Sequence, residues 1–300
     1  MTGRPRGRKE ERYVIVWIAA AAAAACAGLG AAMVREAYRV RLRREEVALP
    51  RLPAAFDGFR ILFISDVHRR TVRPLLGLLA GEGGGADLVL IGGDLTERGV
   101  PFSRVRENAR LLAGIAPVFM VFGNHDYDED AEALARLLRE ERVTLLRNES
   151  RVIRRGVQSI RLAGVDDPSS GRDDVRAALR GIPDRQTSCT ILLAHDPLIV
   201  ERMTARDLYR TDLILAGHTH GGQIVLPLVG PLARGHLRYL RGWRTPPRRT
   251  KTGGSDGPWL FVSCGYGTSH LPLRLMAPAE AHLFTLRSLR RHPDPPSESR

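Results

Sequence analysis

The apolar positions fall into two kinds of pattern. Residues 13–34 form a run without a charged side chain, much of it alanine. As a helix rising about 1.5 Å per residue it spans roughly 33 Å, against a bilayer core of about 30 Å. From residue 60 onward the apolar runs are short. Buried strands are predicted at 60–65, 87–91 and 118–122, each closed by a polar turn. Those turns carry Asp66 and His68, then Gly93 and Asp94, then Gly123, Asn124, His125 and Asp126. Helical stretches follow at 74–81, 103–113 and 130–140. In the last, Ala131, Leu134, Leu137 and Leu138 share one face. Strands alternating with helices predict an α/β sheet that is at least partly parallel.

The middle of the chain changes character. Short strands at 143–146, 152–154 and 159–163 read as antiparallel pieces, and a helix is expected at 173–180. Two more buried strands, 190–194 and 213–216, lead to His195 and to Gly217, His218 and His220. Strands at 259–263 and 281–286 close the fold. This gives a basic tail over 1–12, a transmembrane anchor over 13–34 and a charged helical connector over 35–55. A globular domain follows over 56–287, then a polar, Pro-rich disordered tail over 288–300. Tyr13 and Trp17 sit near one end of the anchor, where interfacial aromatics belong. A cleaved signal sequence or a soluble helix would give the same apolar run. Five Lys/Arg precede the run and five follow it closely, so its orientation stays open.

Charge adds a second theme. The net charge of +13 points to an anionic partner: a phosphate compound, a membrane surface or nucleic acid. Arg234, Arg238, Arg241, Arg244, Arg248, Arg249 and Lys251 form a basic run with no acid between them. It reads equally as a solvated loop or as an anion-binding rim. Trp243 gives a nucleic-acid-binding reading a foothold as a stacking platform, but the basic runs lack interleaved aromatics and no stable nucleic-acid partner is expected. Cys26, Cys189 and Cys264 imply no disulfide framework.

The chemistry sits at the strand ends: Asp66, His68, Asp94, Asn124, His195, His218 and His220. In open α/β sheets, ligands bind at the carboxyl ends of the strands. Singly, each residue has a plainer role. Asp66 could cap a helix, Asp94 could make a turn, and His195 could be a core histidine. Together they make a set of carboxylate, amide and imidazole ligands suited to Mn, Fe or Zn. Seven ligands are too many for one ion and fit two. A pair of divalent metals can generate hydroxide and clamp a phosphoryl group for in-line attack.

These five blocks, in this order and spacing, resemble the calcineurin-like metallophosphoesterase family. The stretches Gly221-Gly222-Gln223-Ile224, Tyr239-x-x-Gly242, Phe261-Val-Ser-Cys-Gly-Tyr-Gly267 and Pro272-x-Arg274 resemble its bacterial membrane-associated phosphodiesterase subgroup. That subgroup includes enzymes that split UDP-2,3-diacylglucosamine. The resemblance implies a four-layer α/β/β/α sandwich of two mixed sheets behind the N-terminal transmembrane helix, with two divalent metal ions as cofactors. It places Asp66, His68 and His220 on one metal, Asn124, His195 and His218 on the other, and Asp94 between them. His125 would face the phosphoryl group, with Asp126 orienting its imidazole. Metal-bound hydroxide would attack directly.

The function so implied is a phosphodiesterase or pyrophosphatase at the bacterial inner membrane, acting on a phosphodiester or nucleotide-linked lipid. A nuclease or cyclic-nucleotide phosphodiesterase could use the same site, and a non-catalytic metal-binding scaffold is the reading from another class. Arg69 and Arg70 could reach a phosphate. The Pro-Glu-Ile often seen in the subgroup is Ala279-Glu280-Ala281 here.

Overall fold

The computed structural model describes residues 7–81, 83–182, 189–233, 235, 237–246 and 257–289, with backbone alone at 7–10. The tail expected over 288–300 therefore lies almost wholly outside the described residues, as do Arg234, Arg248, Arg249 and Lys251 of the basic run.

Two six-stranded sheets carry the fold. The first contains β1 (Val40–Leu49), β2 (Arg60–Ile64), β3 (Leu88–Ile91), β4 (Val118–Met120), β5 (Val143–Leu145) and β14 (Ala279–Ser288), in the order β1-β14-β2-β3-β4-β5. The second contains β6 (Glu149–Arg155), β7 (Gln158–Gly164), β8 (Thr190–Leu193), β9 (Leu213–Ala216), β12 (Gly242–Arg244) and β13 (Trp259–Val262), in the order β12-β13-β9-β8-β7-β6. A small hairpin, β10 (Val225–Leu226) with β11 (Gly230–Pro231), stands apart.

Side-chain alternation along the strands builds the layers. Ile61 and Phe63 point inward and pack with Leu88, Leu90, Ile191, Leu193, Leu213, Leu215 and Phe261, joining the two sheets. Leu62 and Ile64 point outward and pack beneath α2 (Arg73–Ala80), α3 (Phe102–Ala113) and α4 (Ala131–Glu140). On the far face, Leu192, Ile214, Leu260 and Val262 pack with Val175, Ile199 and Leu208 from shorter helices. The result is four layers, α/β/β/α, as the resemblance implied.

Three local expectations are corrected. The stretch expected as a helical connector instead holds a ten-residue strand: α1 (Gly7–Tyr38) ends, and β1 starts after the single residue Arg39. β1 pairs with β14 over ten residues, Val40 against Ala279 to Leu49 against Ser288. Its many Arg and Glu residues mark it as an edge strand, where charge discourages stray pairing. Next, β5 was expected in an antiparallel piece but runs parallel to β4, because α4 carries the chain back across the sheet. Of the predicted antiparallel group, β6 and β7 do form a hairpin. Finally, Trp243 is no exposed stacking platform. Its ring packs against Phe261, Trp259 and Phe284, and its Nε1 lies 3.4 Å from Glu45 Oε2.

The helix α1 contains one stretch, Glu11–Tyr38, long and apolar enough to cross a membrane; its most apolar 18 residues have mean hydropathy 2.1, and none of those 18 is buried against the protein.

Candidate metal centre

The carboxyl ends of β2, β3, β4, β8 and β9 converge on one cleft. β2, β3 and β4 are mutually parallel in one sheet, and β8 and β9 are parallel in the other. Asp66 and His68 leave β2, Asp94 leaves β3, Asn124 and His125 leave β4, His195 leaves β8, and His218 and His220 leave β9. Asp66, His68, Asp94 and His195 are essentially inaccessible to solvent, and His220 nearly so.

The turns that aim these side chains are strained. Asp66, His68, Asp94, His218 and His220 all have positive φ, between 51° and 70°. Left-handed backbone at residues other than glycine costs of order 1–3 kcal/mol each and persists where function requires it. Close approach adds a second demand at Gly217. A Cβ there would lie 2.5 Å from Asp66 Oδ2 and 2.6 Å from Ser65 Oγ, so the strand end tolerates no side chain. The backbone N–H of His218 can then donate to Asp66, at 3.0 Å and 3.2 Å from its two carboxylate oxygens.

Ligand atoms crowd together. Asp66, His68 and His220 form one group with ligand atoms mutually within 4.8 Å, and Asp66, Asp94 and His195 form another. His68 Nε2 lies 3.1 Å from His220 Nε2, and His195 Nε2 lies 3.2 Å from Asp94 Oδ2 and 3.1 Å from His218 Nδ1. His195 donates from Nδ1 to Gly92 O at 2.8 Å, which leaves Nε2 as the lone-pair nitrogen aimed at a carboxylate and a second imidazole. Lone pairs and anions facing one another in a dry cleft demand a cation. Asn124 Oδ1, buried and without a hydrogen-bond partner, supplies another acceptor with the same need. The residues therefore fit divalent metal. His68, Asp94 and His125 form a third group of the same kind.

The electrostatics agree. Burial lowers the His220 pKa well below the ordinary imidazole value, with the His68 and Arg274 charges adding to it, so the ring is a neutral donor. At His195, burial acts in the same direction but is outweighed by the charge and hydrogen bond of Asp94, and the pKa rises. For Asp94, burial opposes ionisation, yet the charges of His195, His68 and His125 hold its carboxyl well below the usual range. A cation in the cleft takes the place of those protons.

The supporting residues differ in part from expectation. The Asp126 carboxylate does not touch the His125 ring. It accepts from the backbone N–H groups of Asp94 (2.8 Å), Gly123 (2.9 Å) and Thr96 (3.2 Å), tying two ligand turns together. Burial, then the Asp94 charge, pushes its pKa up to about 7. The carboxylate against His125 is Asp128, with Oδ2 2.7 Å from Nδ1. Glu97 Oε2 lies 3.0 Å from His68 Nδ1, and Glu97 also pairs with Arg69. Glu97 follows Asp94 by three residues, a spacing that could have flagged it.

Arg274 is fully buried among backbone carbonyls. It donates to His220 O (3.3 Å), Cys264 O (2.7 Å), Gly267 O (2.6 Å) and Ala277 O (3.0 Å), pinning the His220 turn to the loop over Asp66. Burial lowers its pKa to about 10. Neither arginine after His68 faces the cleft as a free cation. Arg69 is held by Glu97 and Arg98 O, and Arg70 donates to Ala37 O (2.5 Å) and Tyr38 O (3.2 Å) at the end of α1. His270 comes near the site, its ring 6.3 Å from that of His125.

Residues 59–222 match the family model described as calcineurin-like phosphoesterase. An uncharacterised Bacillus subtilis protein, YpbG, is 37% identical over 75% of this chain and 80% of its own length. The Escherichia coli phosphodiesterase YaeI is 34% identical over 57% of this chain and 64% of its own. A zebrafish transmembrane protein with a metallophosphoesterase domain is 29% identical over 81% of this chain and 56% of its own.

Proposed function

The chain belongs to the calcineurin-like phosphoesterase family and is a metal-dependent phosphoester hydrolase; from that premise we propose a membrane-anchored, dinuclear phosphodiesterase whose substrate is a lipid-borne or nucleotide-linked phosphodiester. The observation that carries the two-metal reading is the number and placement of the ligands. Asp66, His68 and His220 form one group, His195 lies against His218 and Asp94, and Asp94 lies between His68 and His195; Asn124 would complete the second ligand set.

Bound divalent cations would supply Lewis-acid charge to the phosphoryl oxygens and lower the pKa of water. The chain's own residues do the rest. His195 keeps Nε2 free for metal by donating from Nδ1 to Gly92 O, and Glu97 fixes His68 in the same way. Asp126 locks the Asp94 and Gly123 turns, which keeps the two halves of the ligand set in register. His125, held at Nδ1 by Asp128, presents Nε2 to the leaving oxygen and gives it a proton. The buried floor of the cleft strengthens each of these interactions.

The apolar helix α1 supports the membrane attachment in this reading. The net charge of +13 suits an anionic phosphodiester. The test compares release of UMP from UDP-2,3-diacylglucosamine with hydrolysis of an aryl phosphodiester by Mn²⁺-loaded protein, with Asp94→Asn as the blank. Faster UMP release supports the nucleotide-lipid substrate. Cleavage of the aryl diester alone keeps the metal chemistry and removes that substrate. Cleavage of nucleic acid with lipid untouched makes the protein a nuclease.

A further inference from the structure

We propose that the carboxyl edge of the two sheets rests on the bilayer surface from which α1 emerges, with an apolar rim of two segments dipping into the lipid and the metal cleft opening onto headgroups. The proposal rests on reading α1 as a membrane anchor.

The direction of the strands carries most of the argument. β14 is antiparallel to β2, and β1 is parallel to β14. β1 therefore runs opposite to β2, and its first residue, Val40, stands at the carboxyl edge of β2, where Asp66 and His68 lie. The anchor thus enters the domain at the edge that holds the metal ligands, not at the opposite one. The joint is short and held from several sides. One residue separates α1 from β1. Arg70, two residues beyond ligand His68, donates to Ala37 O and Tyr38 O and lies 4.4 Å over the Tyr38 ring. Arg274 N donates to Met33 O at 3.1 Å, which ties the last apolar turn of α1 to the loop beneath the site.

The rim lies beside that joint. The hairpin β10–β11 springs directly from the turn that carries His220, and its tip is Pro227, Leu228 and Val229. Tips that face water are built from Gly, Asn, Asp or Ser. Here Leu228 is fully exposed at φ 65°, and Val229 is 61% exposed. The hairpin bonds to the loop over 268–276. Ile224 bridges Leu275, Val225 N donates to Leu275 O, and Gln223 Nε2 donates to Ser269 O and Leu271 O. In that loop Leu271 and Met276 are more than half exposed. The same loop carries His270, which faces His125 across the cleft mouth. Single exposed apolar side chains are ordinary. Four on two bonded segments, next to both the anchor's end and the cleft, are not. Apolar side chains at this level sit in the boundary between headgroups and acyl chains. Arg35 and Arg39 flank the joint, as suits an anionic headgroup layer.

The test uses full-length protein in nanodiscs containing anionic lipid. Cys26→Ala removes the one exposed cysteine, since Cys189 and Cys264 are buried. Single cysteines at Leu228, Met276, Trp17 and Val157 then carry an environment-sensitive dye, with nitroxide lipids as quencher. Val157 is the aqueous control. It precedes β7 and is 99% exposed at the amino edge, the length of a seven-residue strand, about 23 Å, from the ligand edge. Labels at Leu228 and Met276 should shift to the blue and be quenched about twofold or more, with Trp17 quenched strongly and Val157 unchanged. If Leu228 and Met276 behave like Val157 while Trp17 is quenched, the rim stands clear of lipid. The proposal then falls and the anchor survives. A blue shift without nitroxide quenching puts protein rather than lipid on the rim and overturns it too. If Trp17 also escapes quenching, the anchor fails and the proposal with it. Turnover of a soluble aryl phosphodiester by each labelled protein checks that it is folded.

Discussion

His125 can move a proton in one direction only if one ring nitrogen is held. Asp128 does this, and its identity follows from local geometry. Residues Asn124–Tyr127 form a 3-10 turn, in which side chains three apart share a face. Asp128 is three residues beyond His125, whereas Asp126 is its neighbour and points elsewhere. Asp128→Asn should lower kcat by about 10–100-fold with metal content unchanged. The loss should shrink for substrates with better leaving groups, because they need less protonation. An equal drop in metal content would instead make Asp128 part of metal binding. The clustering of Asp66, His68, Asp94, His195 and His220 was legible from sequence because each follows an apolar run and a small turn. The Asp126 and Asp128 roles were not, since they depend on the pitch of four residues that pattern reading does not resolve. Nor did any pattern announce the left-handed backbone at five of the ligand positions.

At the scale of elements, β1 is the piece the sequence hid. Arg41, Arg43, Arg44, Glu45 and Glu46 read as a helical connector because Arg and Glu favour helices. What makes the segment a strand is its partner β14, more than two hundred residues away, and no local pattern carries that information. Val47 and Leu49 are buried by the pairing. A chain starting at residue 39 should keep the full sheet. One starting at residue 51 leaves β14 as a bare edge and should lose about 3–6 kcal/mol, at about 1.5–3 kcal/mol for each buried side chain. Urea denaturation of the two, with metal removed, measures the difference. Equal stability would mean that β1 is an ornament on the sheet. The helices α2, α3 and α4 and the central strands were legible because each carries its own apolar period.

Across the whole molecule, one carboxylate ties β14 to the loop over the metal site. Glu280 Oε1 accepts from Cys264 N at 3.1 Å and lies 3.4 Å from His282 Nε2. Burial opposes its ionisation, but the hydrogen bond and charge of His282 prevail and hold its pKa at about 2 against 4.5. A depressed carboxylate stabilises the fold above its unfolded pKa, and that contribution disappears as pH falls through the folded value. Glu280 should therefore contribute about 3 kcal/mol at pH 6 that is lost between about pH 4.5 and 2, at roughly 1.4 kcal/mol per unit. Glu280→Gln should flatten that part of the stability profile in guanidinium titrations at pH 3 and pH 6. An unchanged profile would remove Glu280 from the account. The most direct test of the central claim is the metal content of active protein, read by elemental mass spectrometry beside phosphodiester turnover. The full chain should hold two divalent ions and lose turnover on chelation, and Asp94→Asn should hold at most one and be inactive. Turnover that survives complete removal of metal, or one ion per fully active chain, would contradict it.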